Sequence, residues 1–214
     1  VTYRELNLNI NDFLGQGIRP LSLGFNRTNA YSHTQWNFGI GTNALFFQQT
    51  GSDNFAMGNQ ALRTSTSTLA NVAIGNGALY SASGANSGQA GVYGSYNVAI
   101  GLNAMGSTVS TMTGGYNVAL GVNALFNNSS GGANFGLGYN ALYFNSIGNS
   151  NIAIGSSAGS GTQGADSIAI GTLSGNNSQG INSVAIGKSA GEFKQQASAT
   201  QGGVAIGLNS GRTF

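Results

Sequence analysis

Polar, apolar, small, apolar, glycine: that order of side chains stands at Asn97-Val98-Ala99-Ile100-Gly101 and returns along almost the whole chain. Clear copies are Asn71-Val72-Ala73-Ile74-Gly75, Asn151-Ile152-Ala153-Ile154-Gly155 and Ser183-Val184-Ala185-Ile186-Gly187. The anchoring glycines are Gly41, Gly58, Gly75, Gly101, Gly121, Gly138, Gly155, Gly171, Gly187 and Gly207. Most neighbours are 16 or 17 residues apart, with stretches of 26, 20 and 20 where the chain is longer. A weaker eleventh copy, Pro20-Leu21-Ser22-Leu23-Gly24, lies 17 residues before Gly41. Self-similarity at such a period predicts an all-β solenoid of about 10–11 turns, each repeat one coil stacked on the next.

Within the pentad the apolar residues alternate, which is the period of a strand and not of a helix. The β-branched pairs Val72/Ile74, Val98/Ile100, Ile168/Ile170 and Val204/Ile206 are read as the lining of the coil interior. Between them stands a residue no larger than alanine: Gly39, Ala56, Ala73, Ala99, Ala119, Gly136, Ala153, Ala169, Ala185 and Ala205. That size ceiling is read as the mark of a partner surface approaching closely. The anchor glycine suits a corner that needs positive φ. After it, Asn43-Ala44-Leu45, Asn123-Ala124-Leu125 and Asn140-Ala141-Leu142 predict a second short strand with one more core residue. Later copies turn to Ser157-Ala158-Gly159, Ser174-Gly175 and Ser189-Ala190-Gly191, which predicts coils poorer in large apolar side chains.

Composition narrows the function classes. The 214 residues include 36 Gly, no Cys, 7 Lys+Arg and 5 Asp+Glu, for a net charge of +2. The seven cations are scattered, so no stripe tracks a phosphate backbone and no nucleic-acid partner is expected. The fixed phase of the apolar residues argues for order in spite of the Gly, Ser and Asn content. No apolar run reaches the length of a membrane helix, so no membrane insertion is expected.

The pattern breaks at its ends and at three long turns. Residues 1–19, with Leu6, Leu8 and Ile10 alternating with asparagines, are expected to form a cap or connector strand ahead of a repeat domain at 20–214. The longest excursion lies within Ser81–Ser95 and carries Tyr93, with Tyr96 just beyond; another carries Glu192, Phe193 and Lys194. Insertions in solenoids map to loops on one face, often a binding face. Tyr93, Tyr96, Phe193 and Lys194 are therefore the candidate receptor contacts.

Other chemistry is sparse. Two G-x-G-x-x-A matches, from Gly39 and from Gly136, are by-products of the repeat, with no following helix to cradle a dinucleotide. With three Asp, the one-per-repeat pattern of calcium-binding rolls is missing. His33 is the single histidine, beside Trp36, and is read as packing, since a one-chain multi-histidine metal site is impossible. No cofactor, no metal and no enzymatic activity are expected. Glycosylation sequons begin at Asn26, Asn127, Asn128 and Asn176.

The run Asn182-Ser183-Val184-Ala185-Ile186-Gly187-Lys188-Ser189-Ala190 resembles the head repeat of trimeric autotransporter adhesins. Gly138-Tyr139-Asn140-Ala141-Leu142-Tyr143 looks more like related repeats in fibre proteins of bacteriophages and large DNA viruses. The resemblance spans about residues 20 to 211 and implies a left-handed parallel β-roll, three chains wound together, on a surface. It places the Ala/Gly row at the interface of a homotrimer. It carries over no catalytic residue, and the stalk and membrane anchor of complete autotransporters are not matched. The expectation is therefore a virion fibre segment, a rigid spacer that attaches to a host-surface glycan or protein and joins other fibre proteins at its ends. The alternatives are the head of a bacterial adhesin on the outer surface, and a capsid-associated protein without a receptor.

Overall fold

A computed structural model of the chain describes residues 8–10, 21–25, 37–47, 51–65, 67–82, 94–107, 112–191 and 202–211. All regular structure among them is β. The strands are β1 (Leu8–Ile10), β2 (Leu21–Phe25), β3 (Phe38–Ile40), β4 (Phe55–Met57), β5 (Val72–Ile74), β6 (Val98–Ile100), β7 (Val118–Leu120), β8 (Phe135–Leu137), β9 (Ile152–Ile154), β10 (Ile168–Ile170), β11 (Val184–Ile186) and β12 (Val204–Ile206). They form one sheet in sequence order. From β3 to β12 every pairing is parallel and joins equivalent residues, as Ala73 to Ala99 and Ala169 to Ala185. The 26-residue interval before Gly101 leaves that register untouched: Val72, Ala73 and Ile74 face Val98, Ala99 and Ile100.

The Pro20–Gly24 copy is not a coil of the solenoid. It falls in β2, which pairs antiparallel with β3 on one side and with β1 on the other. The parallel stack begins at β3, and β1 with β2 lies across its first edge. An antiparallel strand occupies the ladder groups that a parallel edge would otherwise leave open.

Strand orientation is the reverse of the expectation. Ala56, Ala73, Ala99, Ala119, Ala153 and Ala185 have no solvent exposure, while the larger apolar residues that flank them are half-buried or exposed. The Ala/Gly row lines the interior of the chain's own coil. Its size ceiling comes from the coil's opposite wall. A Cβ on Gly39 would lie 3.3 Å from Leu45 Cδ1, and one on Gly136 would lie 3.4 Å from the carbonyl oxygen of Ala141 and 3.5 Å from Leu125. The gap accepts a methyl group and little more.

That opposite wall is built by the segment after the anchor glycine, which is a turn and not the expected second strand. Leu62, Leu79, Leu125 and Leu142 have φ of 49°, 50°, 52° and 53°, and all four are fully buried. A left-handed conformation costs an L-residue roughly 1–2 kcal/mol, and full burial of a leucine contributes about 1.5–3 kcal/mol. Packing therefore holds each leucine in a backbone state it would not choose alone. Coil-to-coil bonds fix the wall further, as Leu62 N donates to Ala78 O at 3.0 Å and Leu125 N to Ala141 O at 2.9 Å.

The C-terminal coils solve the same corner differently. Gly159, Gly175, Gly191 and Gly211 take the leucine's place with φ between 53° and 65°. The vacated interior is filled by glutamine: Gln163 and Gln179 are buried, their amides donating to Gly175 O at 3.0 Å and Ile168 O at 2.9 Å. These coils do lose large apolar side chains, as the sequence predicts.

A second interior column is polar. Asn37, Asn54, Asn71, Asn97, Asn117, Asn134 and Asn151 precede successive strands and are all buried. The first six side-chain oxygens accept the backbone N–H of the asparagine one coil on, at 2.8–3.0 Å, and that of Asn151 accepts the N–H of Ser167 at 2.9 Å. Most of the amide nitrogens donate to a glycine carbonyl, such as Gly94, Gly114, Gly131 and Gly148. Buried amides satisfied on both ends stabilise a fixed register, where an unpaired one would cost about 1–3 kcal/mol.

Candidate functional site

Because Asn, Ala and Gly point inward, the residues between them point out. Three neighbouring rungs carry Tyr96, Val98, Ile100 and Leu102; Tyr116, Val118, Leu120 and Val122; and Phe135, Leu137 and Tyr139. Alternation along each strand puts Val98 and Ile100, Val118 and Leu120, and Phe135 and Leu137 on one face, and the parallel register stacks these pairs side by side; Tyr96 and Tyr116 stand just before their strands, and Leu102, Val122 and Tyr139 just past the glycine corner. Ile100 is 39% exposed, Tyr116 59% and Tyr139 55%. The apolar strip continues on both sides through Val72/Ile74 and Ile152/Ile154. Ten rungs at about 4.8 Å make it roughly 45 Å long.

Tyr96, a candidate receptor contact, lies two residues before β6 with φ of 59°. Its ring stacks on Tyr116 with centroids 5.0 Å apart and planes 4° from parallel. Tyr93, Phe193 and Lys194 lie outside the described residues, as does His33. The structure thus places Tyr96 on the bend before β6, where its N–H donates to Leu69 O at 2.9 Å and its ring meets that of the next coil.

Another cluster stands on the far side of the coil, across the interior from the strands. The residue after each wall leucine points out, and there the chain has Phe46, Arg63 and Tyr80 in three successive coils, with Phe47 beside them. Phe46 and Phe47 are 56% and 44% exposed, and their rings meet edge to face at 4.8 Å and 86°. The Arg63 guanidinium carbon is 5.9 Å from the Phe46 centroid, 5.4 Å from Phe47 and 5.6 Å from Tyr80. Arg63 Nη1 donates to the Tyr80 hydroxyl at 2.6 Å, whereas Nε is covered and has no acceptor. The same column resumes with Phe126 stacked on Tyr143 at 5.3 Å, next to the exposed Phe144.

Sequence reading passed over this column, although its signal was present. Phe46, Arg63, Tyr80, Phe126 and Tyr143 all stand five residues after an anchor glycine. The column belongs to the regular turn and not to the insertions.

Charge is thin throughout. Among the described residues only Asp53, Arg63, Asp166 and Lys188 are ionic, and Asp53 accepts a hydrogen bond from Ser52 Oγ at 2.7 Å. No group of three or more His, Cys, Asp and Glu among the described residues is placed to hold a metal ion. No described helix is long and apolar enough to cross a membrane.

No family model, no curated protein and no solved structure matches this chain. The functional reading therefore stands on geometry and on the repeat.

Proposed function

We propose that the chain is a segment of a homotrimeric fibre on a virion surface, a rigid spacer that also attaches to the host. The observation that carries this is the outward apolar strip centred on Ile100, Leu120 and Leu137. Soluble monomers rarely expose contiguous apolar areas beyond a few hundred Å². A continuous strip roughly 45 Å long and two side chains wide is of that size or larger. Its regular spacing suits an identical strip on another copy, since equal rungs meet at equal heights. Closed cyclic symmetry satisfies such strips without leaving one exposed. The threefold number and the left hand of the coil come from the resemblance of the repeat to trimeric adhesin heads and viral fibres. A stack ordered by buried asparagine and backbone ladders suits a spacer.

Light scattering on the purified chain tests the assembly: a mass of three chains is expected, and a monodisperse monomer overturns it. Immunogold labelling tests the location. Antibodies to the chain should decorate fibres on the particle and block its adsorption to cells, and particles without label would overturn the virion assignment.

A further inference from the structure

We propose that the corner formed by Phe46, Phe47, Arg63 and Tyr80 binds an acidic sugar, with Arg63 taking the carboxylate and the phenylalanine rings taking the sugar face. A guanidinium presents five N–H donors and accepts nothing. Here Nη1 is engaged by the Tyr80 hydroxyl at 2.6 Å and Nε is covered, so an incoming carboxylate meets the remaining Nη donors, and the two acidic residues described, Asp53 and Asp166, form no ion pair with the guanidinium. Three rings within 6 Å of the guanidinium hold it in place and reduce the water around it. Both effects strengthen a charge-assisted bond to an incoming carboxylate.

The rings supply the second half of the site. Phe46 and Phe47 stand at 86° to each other, so they form a step with exposed aromatic surface. Aromatic side chains offer large contact area at small entropic cost. A pyranose whose carboxylate is attached directly to a ring carbon carries an apolar C–H face and an anion close together. That matches a ring platform whose centroids lie 5.4–5.9 Å from the cation. An acidic peptide offers the anion but no rigid C–H face beside it. The corner also lies across the coil from the outward apolar strip, so assembly through that strip leaves it open. This site deepens the attachment reading, yet sugar binding by the purified chain is measured independently of where the chain resides.

The test is ligand-observed NMR and calorimetry on the purified full chain with four probes. Sialyllactose carries a terminal sialic acid, a glucuronic-acid-containing hyaluronan tetrasaccharide carries uronic acid, lactose is neutral, and an N-acetylated, amidated Glu-Glu dipeptide is the acidic non-sugar. At least one acidic sugar should bind, with saturation transfer to its ring C–H protons, and lactose should bind at least tenfold more weakly. Arg63→Gln and Arg63→Lys should each weaken acidic-sugar binding by about ten- to a hundredfold, because lysine keeps the charge but loses the planar fork. Phe47→Ala should weaken binding while leaving the charge in place. Circular dichroism identical to the parent qualifies each variant as folded. Failure of both acidic sugars to bind the parent, or full affinity in folded Arg63→Gln, overturns the proposal. Equal binding of the dipeptide overturns the sugar assignment. Preference for one acidic sugar identifies which source of the carboxylate the corner selects.

Discussion

The side-chain oxygen of Asn117 accepts both the backbone N–H and the side-chain amide of Asn134, at 2.9 and 3.0 Å. Asn117 in turn donates to Asn97 Oδ1 and to Gly131 O, at 3.1 and 2.9 Å. One buried amide therefore ties three coils together. Replacing Asn117 with Ala removes these bonds and strands the backbone N–H of Asn134, while the Asn134 amide keeps Gly148 O and Gly131 O keeps Asn128 Nδ2. The expected cost is about 1–3 kcal/mol, that of one stranded buried donor. Thermal or urea unfolding checks it; a change below about 1 kcal/mol would mean that water or a shifted neighbour replaces the ladder.

Gly121 and Gly207 occupy the same corner in different coils, and among the described residues only Gly121 has a coil stacked beyond it. At Gly121, with φ of 134°, a Cβ would meet the carbonyl oxygen of Gly138 at 2.6 Å; at Gly207, with φ of 115°, it would meet nothing within 4 Å. Gly207→Ala should cost only the conformational strain, about 1–3 kcal/mol. Gly121→Ala adds a backbone collision that no rotamer relieves and should destabilise markedly more. Equal melting temperatures for the two variants would refute the role assigned to close stacking.

Gly159 and Gln163 act as a pair that stands in for one leucine. A Cβ on Gly159 would lie 3.2 Å from Gln163 Cδ and 3.2 Å from Leu142 Cδ2. Gly159→Leu alone should overpack the coil and cost about 1–3 kcal/mol, plus the strain of φ near 54°. Adding Gln163→Ala opens the space and should recover stability. A double-mutant cycle is expected to return a coupling of about 1 kcal/mol or more; strict additivity would show that the glutamine does not fill the leucine's volume.

Much of this fold was legible from the pentad alone, because strand position, register and the glycine corner follow from its period. The side of the strand that faces inward was not. Val98 and Ile100 are larger than Ala99, and burial by size would put them inside. The coil interior is too thin for that, a fact set by Leu45 and Leu125 across the gap and invisible in any single strand. The turn wall was misread for a related reason: Leu62 at φ 49° defies local preference and is held there by burial. Of the candidate contacts only Tyr96 lies among the described residues, and the Phe46, Phe47, Arg63 and Tyr80 corner emerges only once successive coils are aligned.

Ala99 and Ile100 are neighbours on opposite faces, so substitutions at the two should have opposite signatures. Ala99 is fully buried inside the coil, and Ala99→Leu adds volume where the far wall is already in contact. It should destabilise the chain itself, by about 1–3 kcal/mol or more, whatever its assembly state. Ile100 points outward and is 39% exposed. An aspartate there costs an isolated chain little, since surface changes usually stay within about 0.5 kcal/mol. Within an assembly that covers the strip, however, Ile100→Asp places an unpaired charge in an apolar interface, a strongly unfavourable change. Ile100→Asp with Leu120→Asp should therefore give a folded chain by circular dichroism whose light-scattering mass falls toward a single copy. A doubly substituted chain that keeps the parent's mass would place the assembly surface elsewhere, and one that unfolds at low concentration would mean that the strip is needed for folding as well as for association.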